Sequence, residues 1–306
     1  MTQRKFNKLS TAEEVTNGVD LAGKTIVITG VNSGLGQESM RVLALRGAHI
    51  IGTARSMKKA AAAAREIDGQ VTPLACELSD FSSVKACADA INAMDIPIDV
   101  LLTNAGIMAL PKLQLGNGFE QQFNTNQLGH FVLIHNLLER IKQAEQGRVV
   151  ILSSLAHKMA PLGGIDFDNL DGSKSYDPWK FYGQSKLANL LTAVALSKRL
   201  AGSSATANSL HPGIIRTNLS RSMDGVRGFL FNNPLTGFLV GKMMGAKNIP
   251  QGAATQCYVA SAPELSNVSG KYFADSNIER PSRYARDEDL AERLYEFSCD
   301  AVKDYI

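Results

Sequence analysis

Strand-like apolar runs alternate with helix-forming segments along most of the chain, and this alternation constrains its fold more than any other feature. The runs are KTIVITG (24–30), AHIIGTA (48–54), VTPLA (71–75), IDVLLTNAG (98–106), GRVVILSS (147–154), ATANSLH (205–211) and GKYF (270–273). Continuous apolar strands of this kind are typical of a sheet that is covered on both faces. The order therefore predicts an α/β fold, a single doubly wound parallel sheet with helices on both faces.

The segments between these runs have the composition and length of helices. We expect helices at 35–46, 56–67, 81–94, 120–145, around 181–191, from about 251, and at 287–303. In such a sheet, ligands bind outside the carboxyl ends of the strands, so the loops that follow strands are where chemistry is expected.

One apolar segment, GVRGFLFNNPLTGFLVGKMMG (225–245), raises the question of a membrane span. Glycines, a proline, two asparagines and a lysine interrupt it, and its longest uncharged stretch is too short and broken to cross a bilayer. The first twenty residues contain no apolar run, which excludes a signal peptide. We expect no transmembrane span, and the segment to be a lid or a patch in peripheral contact with a membrane or a partner.

The composition is that of an ordinary soluble protein. Hydrophobic residues make up 44% and charged residues 20% of the 306 positions, and the formal net charge is only +3, with basic residues scattered. This charge pattern does not favour nucleic-acid binding. The cysteines lie far apart and form no CxxC pair, which indicates free thiols in a reducing compartment and predicts a cytoplasmic location. They are Cys76, Cys87, Cys257 and Cys299.

A glycine-rich turn, TGVNSGLG (29–36), follows the first strand and opens the first helix. Its glycines permit a tight turn and let backbone N–H groups approach a pyrophosphate at the helix N-terminus. The spacing is GxxxGxG rather than GxGxxG, but the position between strand and helix is the one a dinucleotide site requires. The turn predicts a Rossmann-type site whose candidate residues are Gly30, Asn32, Ser33, Gly34, Leu35 and Gly36.

Arg55 stands at the end of the second strand, where many NAD-binding proteins place an acid for the ribose hydroxyls. An acid would repel a 2′-phosphate, whereas an arginine can pair with one. The alternative is an ordinary surface arginine beside Lys58 and Lys59. We predict NADP(H) rather than NAD(H).

The stretch FYGQSKLANLL (181–191) places Tyr182 four residues ahead of Lys186. Residues at i and i+4 of a helix share one face, so both side chains can act on one object. A nearby ammonium favours the phenolate, so we expect Lys186 to lower the pKa of Tyr182 and make it an acid/base group.

Other strand ends carry small or polar residues. The fourth predicted strand ends in TNAG, with Asn104, Ala105 and Gly106, which suits close backbone approach to a cofactor. The fifth ends in Ser153 and Ser154, of which only one can point into the site, because side chains alternate along a strand. The segment HPGIIRTNL then supplies a Pro-Gly turn and a threonine.

Taken together, these motifs resemble the short-chain dehydrogenase/reductase family from about residue 20 to residue 300. The matches are TGxxxGxG, TNAG, FNTNQLGHF with Asn126, a serine ahead of YxxxK, and PGxxxT at 212–217. NQLGHF, SSLAH and QGAATQCYVA look most like the branch of retinol dehydrogenases, WW-domain oxidoreductases and chloroplast translocon subunits. The resemblance implies one dinucleotide-binding domain over 21–306, with an N-terminal extension (1–20), a substrate loop (155–180) and a substrate lid (218–250).

The resemblance also implies roles. Tyr182 would be the general acid/base, and Lys186 would hold the nicotinamide ribose. Ser154, which directly precedes Leu-Ala-His, would donate to the carbonyl oxygen, and Asn126 would anchor a water that relays protons to Lys186. Glu77 departs from the usual aspartate at the adenine but can accept the same bond. The implied NADP(H)-binding residues are Gly30, Asn32, Ser33, Gly34, Leu35, Gly36, Arg55, Glu77, Leu78, Asn104, Ala105, Gly106, Tyr182, Lys186, Pro212, Gly213, Ile215 and Thr217.

Three functions are open at this point. The first is an NADP(H)-dependent oxidoreductase for the carbonyl or alcohol group of a fairly apolar small molecule such as a retinoid, steroid, aldehyde or polyketide, with no metal. The second is an NADP(H)-binding, redox-sensing interaction protein with little turnover. An epimerase-like enzyme is the third, but its TGxxGxxG turn and larger C-terminal domain are missing. A homodimer could form through the helices at 120–145 and 180–200, and His157 could touch substrate.

Overall fold

A computed structural model describes residues 6–215 and 246–306. Over these ranges the sheet has eight strands in the order β10-β9-β8-β7-β4-β1-β2-β3, and a separate two-stranded ribbon pairs β5 with β6. The strands are β1 (Thr25–Thr29), β2 (His49–Ala54), β3 (Val71–Ala75), β4 (Val100–Thr103), β5 (Leu115–Gly116), β6 (Phe119–Glu120), β7 (Arg148–Leu152), β8 (Thr206–Leu210), β9 (Tyr272–Ala274) and β10 (Asn277–Glu279).

All neighbours from β3 to β9 in this sheet are parallel, and the predicted α/β fold with a doubly wound sheet is confirmed. The antiparallel edge strand β10 was not predicted. It is joined to β9 by Asp275 and Ser276, whose φ angles are +50° and +59°. Two residues with positive φ form the turn that best suits a tight hairpin, but here they lack the glycine that signals it in a sequence.

Helices flank the sheet in the predicted alternation. They are α1 (Ala12–Val15), α2 (Gly34–Leu45), α3 (Met57–Ala64), α4 (Phe81–Asn92), α5 (Gln121–Phe123), α6 (His130–Gln143), α7 (Pro178–Arg199), α8 (Ile249–Ser261) and α9 (Glu288–Ala301). The single helix expected at 120–145 is instead divided, because a π-helix over Asn124–Gly129 separates α5 from α6. At its end, a Cβ on Gly129 would lie 2.1 Å from the carbonyl oxygen of Leu78, so only glycine permits this approach.

The strands bury apolar side chains on both faces, as a covered parallel sheet requires. On one face Val27 and Leu101 pack with residues of α4, α6 and α7. On the other, Ile26 and Leu102 pack with residues of α1, α2 and α8. Helices therefore cover both faces, as predicted.

The C-terminal helix α9 packs across α7, on the side where the sequence suggested a homodimer. The guanidinium of Arg199 forms an ion pair with Glu292 and lies 3.6 Å above the ring of Tyr295. The ring of Tyr295 in turn contacts Phe131 of α6, with centroids 5.0 Å apart. Parts of both helices that were expected to pair between two copies are thus covered by the chain's own C-terminal segment.

Thr217 and residues 218–245 of the predicted lid lie outside the described residues. The described residues on either side of this segment meet, because Ile215 forms a parallel bridge with Lys247, and the N–H of Lys247 donates to the carbonyl of Ile214 at 2.8 Å. Among the described helices, none has the length and apolar character needed to cross a bilayer.

Candidate active site

The candidate residues gather along one edge of the sheet, where the parallel strands end. Gly30 follows β1, Arg55 follows β2, Asn104 follows β4 and Ser153 follows β7. The chain leaves β1 toward β2 on one side, while β4 lies on its other side, so this edge contains the point where the strand order reverses. Ligands of doubly wound sheets bind at such a point.

The glycine turn has the tight geometry that its sequence predicted. Gly30 and Gly34 have φ angles of +74° and +59°, which favour glycine. A Cβ on Gly36 would lie 2.2 Å from the carbonyl oxygen of Gly30, so a larger residue would break the turn. Ser33 precedes α2 without capping it through its side chain. The N–H groups of the first turn of α2 therefore have no side-chain acceptor from this residue, which fits a bound phosphate.

The TNAG loop is tied directly to this turn. The side-chain nitrogen of Asn104 donates to the carbonyl of Thr29 at 2.8 Å, and the N–H of Ala105 donates to the Thr29 hydroxyl at 3.0 Å. Gln256 of α8 then donates to the side-chain oxygen of Asn104 at 3.2 Å and to Ser39 at 2.6 Å. Sequence reasoning missed Gln256, because a glutamine 152 positions away from its partner gives no local signal.

Tyr182 and Lys186 lie one turn apart on α7, and only 7% and 3% of their surfaces are exposed. The ammonium nitrogen of Lys186 donates to the carbonyl of Leu152 at 3.2 Å. A Cβ on Gly106 would lie 3.4 Å from that nitrogen, so the TNAG loop passes directly beside it. The structure thus brings the tyrosine, the lysine and the end of β4 together.

Of the two serines after β7, Ser154 is the one that reaches the tyrosine. Its side chain is the one that acts on the Tyr182 hydroxyl, where hydrogen bonding lowers the pKa of that phenol. The hydroxyl of Ser153 instead donates to the backbone carbonyl of Lys186 at 2.7 Å and is buried. This is the alternation expected for neighbouring residues at a strand end.

The acid/base properties of the pair differ from the sequence expectation. Burial raises the pKa of Tyr182 to about 12, while the hydrogen bond with Ser154 acts in the opposite direction. Burial also lowers the pKa of Lys186 to about 8. Burial therefore outweighs any lowering of the tyrosine pKa here, because loss of water disfavours the charged form of both groups.

Asn126 lies in the π-helix and uses its side chain to hold the loop after β4. Its side-chain oxygen accepts from the N–H of Ile107, and its nitrogen donates to the carbonyl of Ile107, both at 2.9 Å. The same nitrogen donates to the Ser185 hydroxyl at 3.0 Å. The side chain therefore fixes this loop against α7, close to Lys186.

At the second strand, Arg55 is exposed and forms no ion pair with the residues that the structure describes. Ser56 precedes α3 and does not cap it through its side chain. At the third strand, Glu77 is half-buried, and its carboxylate accepts from the N–H and the hydroxyl of Ser79, while Leu78 is buried. These positions form the rim of the site that is farthest from Tyr182 in the strand order.

The Pro-Gly turn after β8 is held by a lysine that sequence reasoning did not single out. Gly213 has a φ angle of +96°, and a Cβ there would lie 3.0 Å from Cε of Lys247. Lys247 is 5% exposed and pairs with Asp275 at 2.7 Å. Pro212 and Ile215 flank Gly213 on this turn.

His157 does not offer a free nitrogen to a substrate. Its Nδ1 donates to the carbonyl of Ser154 at 2.7 Å, and its Nε2 accepts from the N–H of Ser282 at 3.2 Å. Burial lowers the pKa of this imidazole. The ring therefore fixes the loop that carries Ser154, and the suggestion that it touches substrate is not supported.

Comparison with known proteins agrees with this arrangement. The profile of the family described as short chain dehydrogenase matches residues 24–167. The chain is 43% identical to short-chain dehydrogenase TIC 32 A, chloroplastic, of Brassica napus, over 97% of this chain and 94% of that protein. It is 37% identical to retinol dehydrogenase 11 of Homo sapiens, over 99% of this chain and 93% of that protein.

Solved structures share the fold. A crystal structure of an uncharacterized protein from Mycobacterium paratuberculosis has a TM-score of 0.76 and 35% identity, covering 94% of this chain and 97% of that one. The NADP complex of RhlG from Pseudomonas aeruginosa has a TM-score of 0.66, covering 83% and 95% of the two chains. At 23% identity, that second likeness shows the fold alone.

Proposed function

Because this chain belongs to the short-chain dehydrogenase family, we propose that it is an NADP(H)-dependent oxidoreductase that interconverts a carbonyl and an alcohol on an apolar substrate. The observation that carries the proposal is that Tyr182 and Lys186 lie buried side by side, between the serine loop with Ser154 and the TNAG loop. Ser154 supplies a hydrogen-bond donor, Tyr182 a proton source and Lys186 a cation, all at one point of the site.

A bound nicotinamide supplies the hydride, and the protein has to orient the substrate and manage one proton. We propose that Ser154 donates a hydrogen bond to the substrate oxygen and that Tyr182 gives its proton to the same oxygen. A donor aimed at the oxygen where charge develops stabilises the transition state. Near neutral pH a phenol with a pKa of about 12 is protonated, so Tyr182 has a proton to give when a carbonyl is reduced.

The preference for NADP(H) is proposed from the second strand end. Arg55 is exposed, lacks a carboxylate partner among the described residues, and precedes a helix that Ser56 leaves uncapped. Lys58 and Lys59 are exposed beside it. A guanidinium next to a helix N-terminus suits a 2′-phosphate, and an acid that would reject it is missing from this position.

An apolar substrate is proposed from exposed side chains on the loops at this edge of the sheet. Leu155 and Met159 of the serine loop are 39% and 45% exposed, and Leu113 and Leu115 beyond β4 are 39% and 60% exposed. Exposed apolar side chains near a site favour a ligand or surface that covers them. The relatives named retinol dehydrogenases support this class of substrate. Contact with a membrane surface remains an alternative use of the same side chains.

The proposal is tested by following NADPH absorbance with a panel of aldehydes and ketones that includes retinal and steroid ketones. Consumption of NADPH with an apolar carbonyl supports the oxidoreductase. Tight NADPH binding without consumption of any carbonyl would instead favour the NADP(H)-binding interaction protein.

For the compartment, we propose the cytoplasm. The four cysteines are free thiols, and Cys76, Cys87 and Cys257 are buried, as expected in a reducing environment. One relative carries the word chloroplastic in its name, so fractionation of cells that express the full chain is the measurement that decides between a plastid and the cytosol.

A further inference from the structure

His130 lies where α6 begins, and its ring joins two of the segments described above. Its Nδ1 lies 3.0 Å from the backbone carbonyl oxygen of Asn126, and its Nε2 lies 2.9 Å from the hydroxyl of Thr29. The residue is only 2% exposed. The ring therefore connects the π-helix to the last residue of β1, directly before the glycine turn.

The backbone departs from the α-helical pattern where the π-helix ends at His130. In a regular α-helix the N–H of His130 would donate to the carbonyl of Asn126. Here it donates to the carbonyl of Gln127 instead. The carbonyl of Asn126 is not the acceptor of that N–H, and it accepts from the imidazole of His130.

The hydrogen bonds define the tautomer. A carbonyl can only accept, so Nδ1 of His130 carries the proton. The Thr29 hydroxyl already accepts from the N–H of Ala105, and its own proton is free to go to Nε2 of His130. Each donor then has one acceptor, and the ring is neutral. Burial, assisted by the charge of Lys186, lowers the pKa of His130 to about 4.

We propose that His130 is a positioning residue that sets the catalytic side and the cofactor side of the site relative to each other. Through Asn126 it reaches the Ile107 loop, which passes beside Lys186. Through Thr29 it reaches Ala105 and the glycine turn. The inference rests on the proposed function. It assigns the bond made by Nε2 to the Kd for NADPH and the bond made by Nδ1 to kcat.

Two substitutions separate the nitrogens, because the amide of asparagine can take the place of Nδ1 and the amide of glutamine that of Nε2. His130→Asn keeps the bond to Asn126 and loses the one to Thr29. We expect its Kd for NADPH to rise about tenfold, with kcat within about twofold of wild type, since losing a buried hydrogen bond costs about 1–3 kcal/mol. His130→Gln keeps the bond to Thr29, and we expect the reverse, a Kd close to wild type and a kcat about tenfold lower.

Asn136→Ala is the matched control. Asn136 lies on the same helix and donates to the carbonyl of Tyr305 at 2.8 Å, at the C-terminal end of the chain. Its loss should lower the melting temperature without changing Kd or kcat. If both His130 variants change Kd and kcat in the same proportion, or change neither while folded, the proposal is wrong and the ring is only structural.

If the His130 variants do not fold, the Kd for NADPH of Thr29→Val is compared with that of Thr29→Ser. Valine removes the acceptor of Ala105 and the partner of His130, whereas serine keeps the hydroxyl. We expect valine to raise the Kd for NADPH and serine to preserve it, and equal values would contradict the cofactor half of the inference. If the wild-type chain binds NADPH but reduces no carbonyl, the proposed function fails, while the Kd comparison still decides whether His130 positions the cofactor site.

Discussion

The ammonium nitrogen of Lys186 lies 5.9 Å from the centre of the Tyr182 ring, and both side chains are buried between the end of β7 and the TNAG loop. Burial has opposite effects on the pKa values of the two groups, because one is charged when protonated and the other when deprotonated. The result is a tyrosine that keeps its proton near neutral pH beside a lysine whose pKa is about 8.

The rate of carbonyl reduction should therefore fall as pH rises through about 8. Lys186 loses its charge in that range, while Tyr182, with a pKa of about 12, stays protonated. Initial rates of NADPH oxidation between pH 6 and 10, at saturating cofactor, measure this profile. A rate that stays level or increases through the same interval would contradict the role given to the charge of Lys186.

Stability should fall on acidification from about pH 6.5 toward pH 4. Burial lowers the pKa values of His130 and His211 to about 4, against about 6.5 in the unfolded chain. Between these pH values the unfolded chain binds more protons than the folded protein. Each histidine therefore lowers the free energy of unfolding by about 1.4 kcal/mol for every pH unit of acidification. Urea unfolding at several pH values measures the slope. His130→Asn should make that slope smaller, and an unchanged slope would show that His130 is not held neutral.

Arg55→Ala should weaken NADPH and leave NADH almost unchanged. A charge-assisted hydrogen bond is worth about 1.5–3 kcal/mol, which corresponds to a rise in Kd of about tenfold or more. Arg65→Ala is the control, because Arg65 is also exposed and lies at the other end of α3. Cofactor fluorescence titrations of the wild type and the two variants give a Kd for NADPH and one for NADH in each case. Equal losses of affinity for NADPH and NADH would mean that Arg55 does not bind the 2′-phosphate.

Asp275→Asn should destabilise the protein more than Lys247→Met. The side chain of Lys247 is 6% exposed, whereas that of Asp275 is 39% exposed. Removing the carboxylate leaves a buried ammonium without its partner, which costs about 3–5 kcal/mol, while water can still solvate the carboxylate that Lys247→Met leaves. Asparagine tolerates the positive φ of position 275 as aspartate does, so the comparison isolates the charge. Thermal unfolding of both variants measures the order, and the reverse order would mean that the ion pair is not buried in solution.

The strand ends could be predicted because their constraints are local. The carbonyl of Gly30 leaves no room for a side chain on Gly36, and alternation at a strand end lets only one of Ser153 and Ser154 face the site, although the choice of Ser154 came from the family resemblance. Such demands act over a few residues, so they appear in the sequence as fixed residue types at fixed spacing.

What the sequence did not predict depends on contacts between distant segments. Gln256 and Asn104 meet only because α8 packs beside the first turn of α2, and Lys247 meets Asp275 of the turn between β9 and β10. The pKa of Tyr182 likewise depends on burial, which spacing along a helix does not reveal. The π-helix escaped prediction because one added residue per turn leaves the apolar pattern of a helix almost unchanged.

The central claim is that the Tyr182 hydroxyl delivers the proton, and Tyr182→Phe tests it most directly. We expect the rate of NADPH oxidation in a single turnover with a carbonyl substrate to fall by about 10²–10⁴-fold, with a Kd for NADPH close to wild type. Tyr305→Phe, whose ring packs on Phe81 away from the site, should react at the wild-type rate. A Tyr182→Phe variant that binds NADPH and turns over as fast as wild type would contradict the claim.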